Sequence, residues 1–414
     1  MSKPLSFALL KDGEPFPAQC GAYPLRVGNL ARALTEQGHF VSWHASTFSH
    51  YEHRRLTYSE ATTQSDSFRL VLHESGVYLK NISPARWLHH AKLAYHQYHA
   101  LLKEEGLDLI FCCIPTLESA LAAIWAGHRL GIPVVLDIRD PWPEALVLAA
   151  PPAARPVMRL LLAPYFGLAR KVMGEADSLT AVSETFLEWA QSLGQRQETT
   201  RDRVFYHGSH RIELARSTPR DSDSATRVVY VGGFSTIYEF ATLEMALQEG
   251  LAGRPDIEFL LIGEGGAPYQ ELRSRLERYD NVTFTGWLER EKAYELAAGC
   301  DLGWLPLKES HSGFLPNKPF EYASLGLALL SSAQGEVQEI LEQHGAGFSY
   351  REQDASQFSE LLLHLAENKS RIGQAGENAF KFWEQYGDAR KAASSLADHL
   401  VNLARAQEYS HTVP

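Results

Sequence analysis

Short apolar runs of strand length alternate with longer amphipathic runs along almost the whole chain. That alternation confines the fold to β-α-β units built on parallel sheets. In the first half, "LSFALL" leads into a polar loop ending near Gly21, and "LRVGNLARALTEQGH" then carries Leu25, Leu30, Ala33 and Leu34 at helical spacing. "FVSWHAS", "LDLIFCCI" and "IPVVLDI" read as further strands, with a helix predicted in "TLESALAAIWAGHRLG". The pattern restarts at "TRVVYVGGF" and continues through "IEFLLIGEG", "VTFTGW" and "DLGWLPL". A chain of 414 residues exceeds what one core holds, so two α/β domains are expected. Between them the polar stretch "RSTPRDSDSAT", residues 216–226, has no apolar period and reads as a linker. The expected division is 1–208 and 209–387, with a helix over about 388–414 crossing back to complete the first domain.

Composition removes several function classes. A net charge of −11 argues against general nucleic-acid binding, which needs clustered Lys and Arg over a broad face. Cys20, Cys112, Cys113 and Cys300 show no C-x-x-C spacing, so neither a zinc site nor a disulfide framework is indicated, and a reducing cytoplasmic setting fits. No apolar run approaches the ~20 residues of a membrane span, and the N-terminus lacks a signal-peptide core. One segment reverses the global charge. "RPVMRLLLAPYFGLARK", residues 155–171, has four cations, no acid and an apolar set including Val157, Leu160 and Leu161, broken or bent by Pro164. It reads as an interdomain or surface helix, or as a basic amphipathic contact for a membrane surface.

The richest motif is "PNKPFEYASLG". Asn317 suits an N-cap, Pro319 the first turn and Gly326 the left-handed position past the end, so a short, well-terminated helix explains the stretch by itself. The same residues also suit a nucleoside diphosphate: free N–H groups and Lys318 for the phosphates, and the Glu321 carboxylate for a ribose diol. Histidines are numerous but scattered, without H-E-x-x-H spacing, so neither a metal nor another cofactor is called for. His50 or His53 is a candidate for facing a second substrate, and most of the histidines are expected at the surface or an interface.

In order and spacing, "YVGGF … FLLIGEG … VTFTGWLEREKAYELAAGCDLGWLPL … PNKPFEYASLGLALLSS" resembles the donor-binding half of retaining glycosyltransferases of family 4. "QCGAYPLRVGNLARALTEQGHFVSWHASTFSH" is similar to that family's glycine loop and first helix. "GIPVVLDIRDPWPEA" resembles the branch that builds bacterial O-antigens, capsules and exopolysaccharides, amino-sugar transferases included. The resemblance implies the GT-B fold, two Rossmann-like doubly wound domains facing a cleft. It implies a nucleotide-sugar donor, expected to be a UDP-sugar, and transfer of a hexosyl or N-acetylhexosaminyl group with retention to a lipid-linked or growing surface glycan. The setting implied is the cytoplasm or the inner face of the cytoplasmic membrane.

Carried over residue by residue, the resemblance puts Gly232, Gly233, Gly263, Glu264, Trp287, Leu288, Phe314, Leu315, Asn317, Lys318 and Glu321 on the donor, with Gly21 approaching its diphosphate across the cleft. A core tryptophan is the competing reading of Trp287. Asp137 or Asp140 orients or deprotonates the acceptor hydroxyl, with Arg139 and His50 on the acceptor side; a structural Asp–Arg pair is the alternative for one of the two aspartates. Two departures stand out. Glu321 matches the second glutamate of the family's paired motif, but Gly313 stands where the first belongs, and Gly233 and Phe234 stand where many members carry an arginine and, a few residues on, a lysine that clamp the diphosphate. Lys318 thereby becomes the expected phosphate cation, helped by the N–H groups of Gly232 and Gly233 and by backbone around residues 312–315. The rival expectations are a nucleotide-sugar epimerase or hydrolase on a similar scaffold, and a binding protein that has lost catalysis with the first glutamate.

Overall fold

The computed structural model describes residues 3–16, 24–49, 54–55, 65–78, 83–197, 199–212, 224–311 and 313–412. The chain divides into two compact units, Met1–Tyr206 with Ala389–Pro414, and His207–Asp388. Most of the linker stretch, Gly21, Cys20, His50 and His53 lie outside the described residues.

The first unit is built on β1 (Ser6–Leu10), β2 (Phe40–Ser46), β5 (Phe68–His73), β6 (Leu109–Ile114), β7 (Val134–Ile138), β8 (Ser178–Ala181) and β9 (Arg203–Val204), in the order β5-β2-β1-β6-β7-β8-β9. All of these pairs are parallel, and a separate antiparallel pair joins β3 (Phe48–Ser49) to β4 (Arg54–Arg55). Every residue of β6 and β7 is buried, as expected of strands covered on both faces. The helices are α1 (Arg26–Glu36), α2 (Pro84–Leu101), α3 (Leu117–Leu130), α4 (Glu144–Leu148), α5 (Arg155–Leu161), α6 (Ala163–Glu175) and α7 (Glu184–Gly194). The Ser83 side chain caps α2 by accepting from the Arg86 N–H. Pro164 does not bend a continuous helix: it sits in the first turn of α6, where no N–H is needed, and the chain breaks at Leu162 between α5 and α6.

The second unit repeats the plan with β10 (Thr226–Val231), α8 (Ala241–Gln248), β11 (Ile257–Ile262), α9 (Gly266–Leu276), β12 (Val282–Gly286), α10 (Arg290–Ala298), β13 (Leu302–Leu305), α11 (Lys318–Ser324), β14 (Ala328–Ser331), α12 (Glu336–His344) and β15 (Gly347–Ser349). Helices α13 (Ala355–Glu367) and α14 (Lys369–Phe382) follow. The strand order β12-β11-β10-β13-β14-β15 is the doubly wound one, with its reversal between β10 and β13. Its core gathers Val228, Tyr230, Phe259, Leu261, Trp304, Leu330 and Phe358. The final helix, α15 (Ala389–Thr412), belongs to the first unit, where Leu396, Ala397, Leu400 and Val401 join the core of Leu9, Leu30, Leu34 and Trp43.

Both sheets therefore present the carboxyl ends of their first strands at a reversal of strand order, where open α/β sheets bind ligands. In the first unit that point lies between β1 and β6, and in the second between β10 and β13.

Candidate active site

In the second unit the chain leaves β10 through Gly232, whose φ of +136° is left-handed-side backbone. A Cβ there would lie 2.0 Å from Lys318 Nζ, so the absence of a side chain makes room for the lysine. Lys318 opens α11, donates to the Val231 carbonyl, and lies 4.7 Å from the Tyr230 ring centroid and 5.3 Å from that of Tyr238. Burial lowers its pKa to about 8, against the opposing pull of Glu321. The neighbouring loop is equally tight: a Cβ at Gly263 (φ +130°) would meet the Gly232 carbonyl oxygen at 2.1 Å. Gly263 in turn donates its N–H to Gly286 at 2.9 Å.

Glu321 stands one turn into α11 among aromatic hydroxyls. Burial, and then the Glu321 charge, push the Tyr294 hydroxyl far up and that of Tyr238 up to about 12. Tyr322 fixes α11 to the sheet, accepting from the Val231 N–H at 2.9 Å and donating to the Trp304 carbonyl at 3.3 Å. Asn317 occupies the N-cap position, but its own φ/ψ of −71°/−23° is helical and its side chain makes no capping bond, which corrects the expected cap. Gly326 has the expected left-handed φ of +75°.

The remaining donor-side candidates separate by exposure. Trp287 is 62% exposed, which removes the core reading, and Glu264 and Asn317 are also exposed. Leu288 and Phe314 are half-buried, with the Phe314 N–H donated to His311 O at 2.9 Å. Leu315 is buried, so its side chain serves packing. The Gly232 N–H donates to Ile262 O at 2.9 Å and is not available to a phosphate, a second correction. Among the described residues nothing accepts from the Gly233 N–H. Phe234 packs 5.0 Å from the ring centroids of Tyr230, Phe240 and Tyr269, which explains an aromatic residue where a cation was looked for.

In the first unit, the two aspartates after "VVL" have different surroundings. Asp137 is fully buried on β7. Arg26 donates to both its oxygens, at 2.9 and 2.8 Å, and Thr180 adds a third bond at 2.7 Å. Burial alone would raise this carboxyl; Arg26 outweighs it and holds the pKa below the ordinary value. Arg26 also donates to the carbonyls of Phe205 and Tyr206, so Asp137 anchors α1 and the end of β9 and does not meet substrate. Asp140 is exposed, and among the described residues nothing donates to its carboxylate. Partial desolvation by the surrounding protein raises its pKa, against the pull of Arg139, Lys11 and Arg86. Arg139 donates to Glu14 at 2.8 Å, and the other Glu14 oxygen accepts the Val27 and Gly28 N–H groups at the start of α1.

Two family models match the chain: "Glycosyltransferase Family 4" over residues 25–208 and "Glycosyl transferases group 1" over 225–368, one on each unit. The fold is GT-B, and each unit matches a glycosyltransferase family model. Among curated proteins, a GDP-mannose-dependent monoacylated α-(1-6)-phosphatidylinositol monomannoside mannosyltransferase of Corynebacterium glutamicum is 25% identical over 243 residues. That match covers 53% of this chain and 62% of the relative, less than two thirds of its length. Two solved structures share the fold. Anabaena Alr3699/HepE in complex with UDP aligns with a TM-score of 0.65 at 15% identity, over 96% of this chain and 100% of that one. Sucrose-phosphate synthase of Thermosynechococcus elongatus aligns with a TM-score of 0.67 at 16% identity, over 97% and 100%.

On this GT-B scaffold, sequence reasoning missed several groups. Lys11 follows β1 at the reversal of strand order, and Arg86 sits over the rings of Tyr78 and Trp142 at 5.6 and 5.7 Å. Arg290 lies 5.2 Å from the ring centroid of Tyr294, beside Glu321. His44 and His89 are fully buried and His73 and His90 nearly so, exceptions to the expectation that most histidines lie at the surface or an interface. His89 Nε2 meets Asp12 Oδ2 at 3.0 Å, and His44 is stacked on His73 with Nε2 3.0 Å from Glu104. A lysine directly after an apolar strand was the one available sign of Lys11.

Proposed function

We propose that this protein transfers a sugar from a nucleoside diphosphate sugar to a hydroxyl of a lipid-linked or growing cell-surface glycan, with retention of anomeric configuration. The observation that supports it most is the meeting of Lys318, Glu321 and the side-chain-free Gly232 at the reversal of strand order in the second sheet. Lys318 meets the diphosphate, the Gly233 N–H adds a neutral donor, and Glu321 takes the ribose diol. Trp287, exposed after β12, offers its flank to the base. Departure of the sugar puts negative charge on the leaving diphosphate, where a preplaced ammonium stabilises it more than in the ground state. The acceptor hydroxyl attacks from the same face and passes its proton to the leaving phosphate, while Asp140 holds that hydroxyl in place.

A UDP-sugar is the first reading of the donor. A GDP-sugar is the second, favoured by the GDP-mannose dependence of the Corynebacterium glutamicum relative. The acceptor reading places the enzyme at the inner face of the cytoplasmic membrane. Helix α5 buries none of its residues and leaves Val157, Leu160 and Leu161 at 60%, 75% and 70% exposure beside Arg155 and Arg159, a suitable surface for anionic lipid. Among the described residues no helix is long and apolar enough to cross a membrane.

Thermal stabilisation by UDP-, GDP- and dTDP-sugars, followed by transfer to a panel of lipid-linked acceptors, tests the reading. Stabilisation by one nucleotide class and acceptor-dependent turnover is the expected result. Turnover without acceptor would identify a hydrolase or epimerase, and tight binding without any transfer a protein that has lost catalysis.

A further inference from the structure

The Lys318 ammonium is half-buried, donates to the Val231 carbonyl, and among the described residues forms no ion pair. Two aromatic rings stand beside it instead. Nζ lies 4.7 Å from the Tyr230 centroid and 5.3 Å from that of Tyr238, and the rings meet edge to face with centroids 5.5 Å apart. A ring face attracts a cation through its quadrupole, more strongly where water is excluded.

The two tyrosines are held differently. Tyr230 belongs to β10 and the core of the second unit, is fully buried, and donates its hydroxyl to the Gly233 carbonyl at 2.6 Å. Tyr238 is half-buried on the loop between β10 and α8. That loop is pinned on both sides of it: the Ile237 carbonyl accepts the Lys308 N–H at 3.0 Å, and the Glu239 N–H donates to the Pro306 carbonyl at 2.7 Å. The Glu239 carboxylate then accepts the N–H and the hydroxyl of Thr242, at 3.0 and 2.6 Å, at the start of α8. A segment tied down at successive residues is a rigid mount for one side chain.

We propose that Tyr238 is a positioning residue for the donor: its ring, mounted on the pinned loop, holds the Lys318 ammonium charged and in place at the end of β10 for the diphosphate. This rests on the reading of Lys318 as the phosphate cation; the ring contact itself does not. A ring face attracts only the charged form, so it opposes the burial that lowers the Lys318 pKa to about 8. Without the ring the ammonium is harder to keep. The charged and titratable groups around Lys318 are Glu321 on its own helix, Tyr230 on β10 and Tyr238 on the loop, while Tyr294 on α10 meets Glu321. Burial, and then the Glu321 charge, push the Tyr238 hydroxyl up to about 12, and burial pushes those of Tyr230 and Tyr294 further, so a midpoint near 8 belongs to the lysine.

The Lys318 Cε resonance of the full chain with isotopically labelled lysine, followed against pH and assigned by its loss in Lys318→Arg, reads the ionisation without any nucleotide. Calorimetric titration with UDP and GDP reads the donor site. Tyr238→Phe keeps the ring face and should hold both the midpoint and the nucleotide affinity within about twofold of the wild type. Tyr238→Leu should move the midpoint to lower pH and weaken nucleotide binding, measured at the wild-type midpoint, about fivefold. Pentafluorophenylalanine at this position keeps the ring's shape and inverts the potential of its face, so it should act as the leucine does, and it carries the test if Tyr238→Leu does not fold. A ring that served packing alone would lower the melting temperature and leave the midpoint where it is. An unmoved midpoint in the ring-altered protein, or Tyr238→Phe behaving as Tyr238→Leu, would overturn the proposal. With nucleotide still bound, an unmoved midpoint removes the role of Tyr238 alone; a moved midpoint in a chain whose wild type binds neither nucleotide removes the phosphate reading of Lys318, and the positioning role with it.

Discussion

Lys318 Nζ fills the space that a side chain at Gly232 would need, since a Cβ there would come within 2.0 Å of it. Lys318 and the strand-end glycine are thus one device, with the positive φ of Gly232 opening the place in which the lysine lies. Gly232→Ala should push Lys318 off the Val231 carbonyl and also strain the backbone, costing about 1–3 kcal/mol of stability. Urea denaturation and nucleotide titration of the same variant check both effects. Unchanged nucleotide affinity would separate the glycine from the site.

The pH dependence of donor capture should follow Lys318. Burial has lowered its pKa to about 8, so the ammonium is present below that value and lost as pH rises through it. The kcat/KM for the donor should therefore fall on the alkaline side with an apparent pKa near 8. In Lys318→Arg, whose guanidinium stays charged, that alkaline limb should disappear.

Asp137 and Asp140 should separate in opposite directions. Asp137→Ala removes the buried partner of Arg26 and should cost about 3–5 kcal/mol of stability. Asp140→Asn touches an open carboxylate, so stability should stay within about 0.5 kcal/mol while transfer slows. Denaturation curves set beside turnover distinguish the two, and a stable but inactive Asp137 variant would contradict the assignment.

Membrane contact through α5 should depend on both the apolar and the basic side chains. A double Leu160→Glu, Leu161→Glu change should reduce sedimentation with anionic vesicles while leaving the melting temperature near that of the wild type, since both side chains are already exposed. Equal sedimentation of the variant would remove α5 from the membrane reading.

The architecture was readable because strand-length apolar runs and helical spacing are local signals, and each sheet assembles from neighbouring β-α-β units. The sites were less so. "DIRD" presents two aspartates that look alike in sequence, and only Arg26, 111 positions away from Asp137, tells them apart. The buried histidines were hidden for the same reason: His44 stacks on His73 beside Glu104, and His89 meets Asp12, all partners from distant segments. Lys318 and Glu321 were legible because both lie within one short helix whose ends the sequence marks plainly. Their depth was not, since it depends on a glycine 86 residues earlier and on the rings of Tyr230 and Tyr238.

The central claim is that Lys318 and Glu321 together hold the nucleoside diphosphate, and calorimetric titration with UDP and GDP of the wild type, Lys318→Ala and Glu321→Ala tests it most directly. The account predicts that the wild type binds one of the two nucleotides and that each variant binds it about tenfold more weakly or worse, at unchanged stoichiometry. Wild-type affinity in both variants would contradict it.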